Sequence, residues 1–245
     1  MNFYAVIIGT EILNSRREDK HFDFLKKELA KYGHELFGSF IVKDDETLIK
    51  NTYKMIKEDD NSILFSFGGI GSTPDDLTRQ IAADVFTSSP LQTNEKFKQD
   101  ILDKFGDEAY PHRIHMADIP KGSDLIFNPV NNMSAFSLEN RFFFVPGFPS
   151  MAHPMLENVI AEYFSESKKK YRYTLVAKTS ENTLITLMNQ VPQNIELSSL
   201  PMFKDSKPLV ELSLSGYEDV LVKKYFEMFK TELEEKKIEY SILDA

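Results

Sequence analysis

The chain has 245 residues, a formal net charge of -9 and no cysteine, which gives room for one large or two modest domains. The lack of cysteine excludes disulfides, thiolate catalysis and cysteine-containing zinc sites, and the acidic balance argues against a nucleic-acid partner. No apolar run approaches the roughly 18 residues of a membrane span and Met1-Asn2-Phe3 does not open a signal peptide, so we expect a cytoplasmic protein without a membrane partner.

The first 86 residues alternate strand and helix three times. Three apolar runs predict strands, over residues 3–8, 36–42 and 63–67. Each is followed by apolar residues at helical spacing, over residues 22–32, 48–56 and 77–85. This alternation predicts a parallel sheet with right-handed crossovers and helices on both of its faces.

The pattern loosens after residue 87 and then resumes as a sheet. An inserted helix is predicted over residues 94–105. Three short strands follow, over residues 125–127, 135–138 and 142–145, and a hairpin-like turn at 139–141 joins the last two. A further strand-to-helix junction comes next, because Pro146-Gly147-Phe148-Pro149-Ser150 precedes a helical pattern that ends near Tyr163.

A polar segment near residues 165–170 separates this region from the rest of the chain. We therefore expect one domain over residues 1–168 and a second over residues 171–245. In the second, the patterns predict a strand, a helix, two strands and a long helix, over residues 172–177, 182–189, 195–200, 209–214 and 218–236. This order predicts a small α+β domain.

A glycine-rich turn joins the third strand to its helix. It runs from Gly68 to Thr78 with the sequence GGIGSTPDDLT, and three glycines fall within its first four residues. Glycines let a ligand approach the backbone amides closely, and amides at a helix start bind phosphate. The residues that we expect to hold phosphate here are Gly68, Gly69, Gly71, Ser72, Thr73 and Thr78.

Two aspartates in this turn, Asp75 and Asp76, predict a cation as well as a phosphate. Carboxylates repel phosphate, and Mg²⁺ and similar ions resolve the conflict because they bind one or two carboxylates together with substrate oxygens. The alternative is helix capping, with Thr73 as N-cap, Pro74 at the first helical position and Asp76 closing a capping-box-like pair.

Asp44 follows the second strand and is our other metal-binding and catalytic candidate. Ligands of parallel sheets lie beyond the carboxyl ends of the strands, where Gly9-Thr10-Glu11 and Lys43-Asp44-Asp45 join the glycine turn. If the second and third strands are neighbours, Asp44 and Asp76 share one cation. Asp44 has the alternative interpretation of a helix N-cap.

The second strand-to-helix junction predicts a further contribution to the same site. We expect phosphate contacts from Pro146, Gly147, Pro149 and Ser150. Other residues expected to line the site are Gly9, Thr10, Glu11, Glu139 and Asn140.

Six ordered motifs give the chain a specific resemblance. They read GTEILNS, VKDDETLI, GGIGSTPDDLTRQIA, MADIPKGSDLIFNPV, FSLEN and VPGFPSMAHPML. Over roughly residues 3–165 they resemble the molybdopterin-binding-like domain of the CinA family, which is related to the MogA, MoaB and gephyrin families and similar to the N-terminal domain of eukaryotic FAD synthases. The resemblance implies a three-layer αβα sandwich with a mostly parallel sheet.

The resemblance also implies chemistry. In the molybdopterin branch, the aspartates that correspond to Asp44 and Asp76 serve catalysis and metal binding. CinA-type domains hydrolyse the pyrophosphate of ADP-ribose or FAD with a divalent metal (Mg²⁺, Co²⁺ or Mn²⁺) and K⁺. The residues after 170 resemble the KH-type small domain of this family, although no GXXG loop supports RNA binding there. The family's C-terminal amidohydrolase domain has no counterpart in this sequence.

Three departures from the family pattern bear on which substrate the site binds. They leave the glycine turn, Asp44, Asp75 and Asp76 unchanged. The usual G-D-E-L is Gly9-Thr10-Glu11-Ile12, which lacks one carboxylate. The usual D-T-N is Asp19-Lys20-His21, and the usual G-T-A-P-G-F is the segment from Asn131 to Phe136, which lacks both glycines.

These observations lead to three functional hypotheses. The first is a metal-dependent nucleotide pyrophosphatase that acts on ADP-ribose or FAD, with Asp44, Asp75 and Asp76 as catalytic residues. The second is a pterin-binding protein of molybdenum-cofactor synthesis, and the third is a non-catalytic nucleotide sensor. Partners are then a small nucleotide or pterin ligand and further copies of the chain, in the dimers or trimers that the resemblance suggests.

Overall fold

The computed structural model describes residues 1–166, 169–204 and 207–243. The chain divides into two compact units, Met1–Ser167 and Lys168–Ala245. The division lies in the polar segment that follows the last predicted helix of the first domain.

The first unit is built from short strands and helices in alternation. Its strands are β1 (Asn2–Ile8), β2 (Leu36–Val42), β3 (Ser62–Phe67), β4 (Leu91–Thr93), β5 (Asp118–Pro120), β6 (Asp124–Ile126), β7 (Ala135–Leu138) and β8 (Phe142–Val145). Its α-helices are α1 (Thr10–Leu13), α2 (His21–Ala30), α3 (Glu46–Lys57), α4 (Thr78–Ala82), α5 (Glu95–Phe105) and α6 (Pro149–Tyr163). A π-helical turn, Ala83–Thr87, extends α4, and 3₁₀ turns cover Gly106–Ala109 and Arg113–Ala117.

The central sheet has the strand order β2-β1-β3-β8-β7-β6. Strands β2, β1, β3 and β8 are parallel, and β7 runs antiparallel to β8 and β6. The mostly parallel sheet is thus confirmed, but the second and third strands are not neighbours, so the condition under which Asp44 and Asp76 were expected to share one cation is not met. Because β1 lies between them, the axes of β2 and β3 are about 10 Å apart.

Helices cover both faces of this sheet, as expected for a three-layer sandwich. On one face, α2 and α6 bury Leu25 and Leu156 against Phe65 of β3. On the other, α3 and α4 bury Tyr53 and Ile81. Strand β3 is buried over its whole length because it contributes to both cores, which explains why its sequence is a continuous apolar run rather than an alternating one.

The second unit has the element order β-α-β-β-α-β. Its strands are β9 (Tyr171–Ala177), β10 (Glu196–Lys204), β11 (Lys207–Gly216) and β12 (Tyr240–Leu243), and its helices are α7 (Ile185–Met188) and α8 (Asp219–Glu235). The sheet is antiparallel with the order β10-β11-β9-β12. This is a split β-α-β arrangement, which refines the KH-type expectation. Strand β12, a short and largely exposed strand, was not predicted.

Across the described residues, we find no helix with the length and apolar character that crossing a membrane requires.

Candidate functional site

A cavity of about 500 Å³ opens at the carboxyl edge of the central sheet; we call it the main cavity. Its wall is formed by segments that follow four parallel strands: Glu11 after β1, Asp44 after β2, the turn from Gly68 to Asp76 after β3, and Pro146–Phe148 after β8. Parallel strands present their carboxyl ends on one edge, which brings these distant segments together. The main cavity therefore lies at the edge of the sheet at which the sequence predicted a site.

The glycine turn begins with two residues in the left-handed region. Gly68 has φ 98° and Gly69 has φ 69°, which side-chain-bearing residues rarely adopt. Thr78 fixes both, because its hydroxyl donates to the Gly68 carbonyl at 2.9 Å and its amide donates to the Gly69 carbonyl at 3.0 Å. A Cβ on Gly69 would lie 2.3 Å from the Thr78 hydroxyl oxygen. Thr78 is buried and supports the turn rather than lining the main cavity.

Asp76 folds the turn through its own side chain. Its Oδ1 accepts from the Gly71 amide at 2.8 Å, and its Oδ2 accepts from the amide and hydroxyl of Thr73 at 2.7 and 2.6 Å. These bonds engage the Gly71 amide and the Thr73 hydroxyl inside the turn, which corrects their expected role as phosphate donors. Among the described residues, the amides of Gly69 and Ser72 have no hydrogen-bond partner.

The same bonds exclude the alternative that Thr73 is the N-cap of the helix after the glycine turn. Helix α4 begins at Thr78, with Leu77 as N-cap and no side-chain cap. Thr73 and Asp76 therefore form a reciprocal turn before the helix, and Thr73 does not cap it. Asp75 stays exposed in the cavity wall, where the nearby Thr73 side chain and its own backbone amide lower the pKa of its carboxyl. Asp75 is thus an ionised carboxylate at neutral pH.

Asp44 is positioned by Thr10, across the end of β1. Its Oδ2 accepts from the Thr10 amide and from the Thr10 hydroxyl, each at 2.8 Å. The N-cap of α3 is Asp45, whose carboxylate accepts from the Leu48 amide at 2.8 Å, so the capping interpretation of Asp44 is wrong. In the described part of the chain nothing donates to Asp44 Oδ1. Thr10 thus supports Asp44, and neither Gly9 nor Thr10 lines the main cavity.

The carboxylates suit a cation that arrives with its ligand. Glu11, Asp44, Asp75 and Asp76 all line the main cavity, yet the described residues include no cluster of three or more histidine or acidic side chains that could hold a metal ion by themselves. Mg²⁺-type ions commonly take one or two carboxylates and complete their coordination with phosphate oxygens and water. The free Oδ1 of Asp44 fits such a site, whereas Asp76 already uses both oxygens in the turn.

Arginines supply positive charge that the sequence did not place here. Arg17 and Arg113 line the main cavity from segments outside the recognised strand-to-helix junctions. Arg79 is buried behind the turn, where it donates to the carbonyls of Ile70 and Gly71. Only tertiary folding brings Arg17 and Arg113 to the glycine turn, so no local sequence pattern could have identified them, whereas Arg79 directly follows the turn in the sequence.

One side of the main cavity is apolar. Phe97, Phe105, Met116 and Met133 come from α5 and the segments after it, and none of them was among the predicted site residues. The Arg113 guanidinium lies 4.6 Å from the centroid of the Phe105 ring. Aromatic and thioether side chains with a flanking guanidinium suit a flat ring system.

The other predicted residues divide between the main cavity and a smaller neighbour. Pro146 and Gly147 line the main cavity. Pro149 lines a second cavity of about 360 Å³, the side cavity, whose wall also contains Glu11, Arg17, Lys20 and His21. Ser150 is exposed in the first turn of α6 and is in the wall of neither cavity.

Glu139 and Asn140 do not belong to the site, which corrects our expectation. They have φ values of 58° and 49° and form the turn between β7 and β8, where the Arg141 amide donates to the Leu138 carbonyl at 3.0 Å. Because β8 is parallel to β3 and begins at this turn, the turn lies at the amino edge of the sheet, opposite the main cavity.

Comparisons with known proteins agree with this geometry. Residues 4–166 match the family model described as a probable molybdopterin binding domain. A CinA-like protein of Nostoc sp. is 32% identical over 170 residues, which are 66% of this chain and 40% of that protein. A protein of Archaeoglobus fulgidus is 25% identical over 242 residues, 97% of this chain and 100% of that protein.

Among solved structures, the CinA protein of Thermoplasma acidophilum, a protein of unknown function, superposes with a TM-score of 0.61 at 26% identity. The match covers 66% of this chain and 98% of that chain. The chain spans only about 40% of the length of the CinA-like protein from Nostoc.

Proposed function

The chain belongs to the family of probable molybdopterin binding domains, within which its first unit is CinA-like, and we propose that this unit hydrolyses the diphosphate of a nucleotide such as ADP-ribose or FAD. The observation that carries this proposal is the composition of the main cavity. Two residues with unpaired amides, an aspartate with one free carboxylate oxygen, two arginines and several apolar side chains all line this one cavity.

The charges of the cavity support the requirement for a metal. Four carboxylates and two guanidinium groups line it, so a diphosphate that enters alone meets a net negative wall. A divalent cation bound with the diphosphate removes this repulsion. The ion is expected to be Mg²⁺, Mn²⁺ or Co²⁺, held by Asp44 and by phosphate oxygens.

The residues of the chain have distinct roles in this reaction. The amides of Gly69 and Ser72 donate to the non-bridging oxygens of one phosphate, and Arg17 and Arg113 neutralise charge on the diphosphate. When bound, the ion neutralises further charge and makes water more acidic. The ionised Asp75 orients the water that attacks phosphorus; the bond to the bridging oxygen then breaks and two phosphate monoesters leave.

The test is a pair of neighbouring substitutions. Asp44→Asn keeps an oxygen that can accept from Thr10 but removes the negative charge, so we expect metal-dependent release of AMP from ADP-ribose to fall at least about a hundredfold. Asp45→Asn is the matched control, because asparagine caps helices as well as aspartate and Asp45 does not line the cavity. Equal activity in both variants would remove Asp44 from the mechanism.

A pterin phosphate is the second candidate ligand, because the apolar wall of the main cavity suits any flat ring. Thermal shift measurements separate the candidates. Stabilisation by ADP-ribose or FAD with a divalent ion supports the hydrolase, whereas stabilisation by pterin phosphates alone supports a pterin-binding protein of molybdenum-cofactor synthesis.

A further inference from the structure

A third cavity, of about 620 Å³, adjoins the main cavity, and we call it the outer cavity. Ser72, Thr73 and Arg113 line both, so the glycine turn contributes to the two walls. Among the described residues that line the outer cavity, Arg79 and Arg113 are the arginines and Glu108 is the one carboxylate. The main cavity carries four carboxylates against two guanidinium groups. The outer cavity thus has a charge balance that lets an anion enter without a metal ion.

The two arginines of the outer cavity differ in their partners. Arg113 Nη1 lies 3.2 Å from Glu108 Oε2 and donates to the Glu108 carbonyl at the same distance. The charge of Arg113 is therefore balanced within the wall. Arg79 forms no ion pair in the part of the chain that the structure describes. Arg79 thus holds the uncompensated positive charge of this wall.

Two carboxylates lie near enough to act on Arg79 through their charge, but both are engaged by other groups. Asp76 accepts three hydrogen bonds within the glycine turn. Asp118 accepts from the Thr93 hydroxyl at 2.6 Å and from His115 Nδ1 at 2.9 Å. Neither carboxylate lines the outer cavity, so its wall presents Arg79 without an acidic partner.

The Arg79 guanidinium has one donor that a ligand can reach. The residue is 9% exposed, and its Nη1 donates to the carbonyls of Ile70 and Gly71. Its Nε is buried without a partner. Its Nη2 also has no partner among the described residues, but unlike Nε it is not fully buried. Arg79 lines the outer cavity and neither the main nor the side cavity, so Nη2 is the donor that it offers there.

A guanidinium in this position calls for an anionic partner. Arginine stays charged in proteins, and a buried charge is costly unless an opposite charge pairs with it. A phosphate oxygen suits the planar guanidinium and forms a charge-assisted hydrogen bond with it. The exposed side chains of Tyr110 and His112 line the same cavity and leave room beside the phosphate for an organic group.

We propose that the outer cavity binds a phosphate dianion, as inorganic phosphate or as a phosphate monoester, with Arg79 Nη2 as its donor and without a metal ion. This site is separate from the diphosphate site of the main cavity. Its occupancy does not depend on hydrolysis there, because the two cavities have opposite charge balance and only the main cavity requires a divalent ion.

The experiment is a calorimetric titration of the natural chain with inorganic phosphate in EDTA, at constant ionic strength. We expect binding, and we expect Arg79→Gln to weaken it at least about tenfold, because glutamine can still donate to a carbonyl but carries no charge. Arg141→Gln is the matched control. Arg141 also donates to two backbone carbonyls, those of Ser62 and Asp59, but lines none of the three cavities, so its substitution leaves the affinity for phosphate unchanged.

A parallel titration with AMP in EDTA distinguishes the two sources of phosphate. If the site takes a phosphate monoester, AMP binds more tightly than inorganic phosphate and Tyr110→Ala removes the difference. If it takes inorganic phosphate, AMP binds no more tightly and Tyr110→Ala changes neither affinity. Either result supports the site, provided that Arg79→Gln weakens the binding.

Two results would overturn the proposal: no binding of phosphate or AMP in the chelator, or binding that is unchanged in Arg79→Gln. Neither result bears on metal-dependent hydrolysis. Conversely, if the chain cleaves no diphosphate but binds phosphate in EDTA through Arg79, the proposed function fails and this site stands.

A second variant keeps the test valid if Arg79→Gln does not fold. His112→Asp places a carboxylate on an exposed residue of the outer cavity, and we expect it to weaken phosphate binding at least about tenfold. Gln193→Asp adds the same charge on an exposed residue of the second unit, which lines none of the three cavities. Equal weakening by both substitutions would mean that only net charge matters, which overturns the proposal.

Discussion

The two edges of the central sheet use polar side chains in opposite ways. At the amino edge, Arg141 donates from Nε to the Ser62 carbonyl at 2.7 Å and from Nη2 to the Ser62 hydroxyl at 2.8 Å and the Asp59 carbonyl. Asp59 in turn accepts from Asn2 at 2.8 Å and from the Tyr4 hydroxyl at 2.9 Å. At this edge the charged side chains of Arg141 and Asp59 form hydrogen bonds within the protein.

At the carboxyl edge the hydrogen bonds shape loops but leave other groups unpaired. Asp76 holds the glycine turn and Thr10 holds Asp44, while the amides of Gly69 and Ser72 and one oxygen of Asp44 have no partner among the described residues. Buried or half-buried polar groups without partners are costly unless a ligand completes them. Unsatisfied groups, rather than the number of charges, therefore distinguish the carboxyl edge from the amino edge.

The largest expected effect comes from Gly69→Ala at the carboxyl edge. The new Cβ would lie 2.3 Å from the Thr78 hydroxyl oxygen on a backbone with φ 69°, so the turn must change shape. We expect activity to fall more than about a hundredfold and the free energy of unfolding to fall by about 2–3 kcal/mol. Denaturant unfolding and AMP release measure the two effects.

Gly122→Ala is the matched control for this substitution. Gly122 has φ 80°, but a Cβ there meets nothing within 4 Å. Only the backbone strain remains, so we expect a loss of about 1 kcal/mol and unchanged activity. Equal loss of activity in both variants would show that the geometry of the turn is not specific to the site.

Arg141→Ala separates stability from function at the amino edge. The substitution leaves the carbonyls of Ser62 and Asp59 without their charged donor, and we expect the free energy of unfolding to fall by about 2–3 kcal/mol. Affinity for a nucleotide diphosphate is expected to be unchanged in the folded variant. Arg172→Ala, an exposed residue of β9, serves as control, and weakened nucleotide binding in Arg141→Ala alone would contradict the division between the edges.

Mild acid is expected to lower the stability of the first unit through His153, on the face of the sheet that α2 and α6 cover. His153 of α6 stacks on Phe24 with a centroid distance of 3.8 Å, and burial, with a smaller effect of His21, lowers the pKa of His153 to about 4. Because the pKa of His153 is lower in the folded state than in the unfolded state, the unfolded chain binds a proton at this residue over a pH range in which the folded chain does not. Stability from this group is complete above pH 6.5 and is lost as pH falls towards about 4.

His153→Phe tests this window by urea unfolding at a series of pH values. Phenylalanine keeps the stacking and does not titrate, so we expect a smaller loss of stability between pH 6.5 and about 4 than in the natural chain. The exposed His112, replaced by Phe, is the control. Identical pH profiles for the natural chain and His153→Phe would contradict the assignment.

Stronger acid is expected to lower the free energy of unfolding through Asp59 at the amino edge. This effect is the smallest of those predicted here. A hydrogen bond from Asn2 lowers the pKa of Asp59 below its ordinary value of 3.8. The stability that Asp59 contributes is present above that value and is lost as pH falls below it. We expect the difference in unfolding free energy between the natural chain and Asp59→Asn to shrink below pH 4, while Asp60→Asn, an exposed neighbour, shows no such change.

Local sequence patterns predicted most of the elements and the edge at which the main cavity lies, but not α1 or the short strands β4, β5 and β12. Hydrophobic periodicity predicted the strands of the parallel sheet, and the glycine turn and Asp44 were recognised because they follow strands directly. The helical spacing placed the start of α4 within one residue, but the capping alternative placed it too early because Asp76 bonds the turn itself instead of the helix. Helix-start rules treat such a residue as a cap, and only the three-dimensional turn distinguishes the two.

Strand order and contacts between residues far apart in the chain could not be predicted from local sequence patterns. Strand order is decided by packing between distant segments, so nothing local showed that β1 separates β2 from β3. The hairpin turn at Glu139 was expected to line the site, but the antiparallel direction of β7 places it at the other edge. The contact of His21 with Gly147 joins residues that are 126 positions apart.

The central claim is that the carboxyl edge binds and cleaves a nucleotide diphosphate with the help of a divalent ion. The most direct test is to incubate the natural chain with ADP-ribose and Mg²⁺, Mn²⁺ or Co²⁺ and to measure AMP and ribose phosphate by chromatography. We expect both products in equal amounts with at least one ion and neither product in a chelator. Binding of ADP-ribose without any product under all three ions would contradict the account.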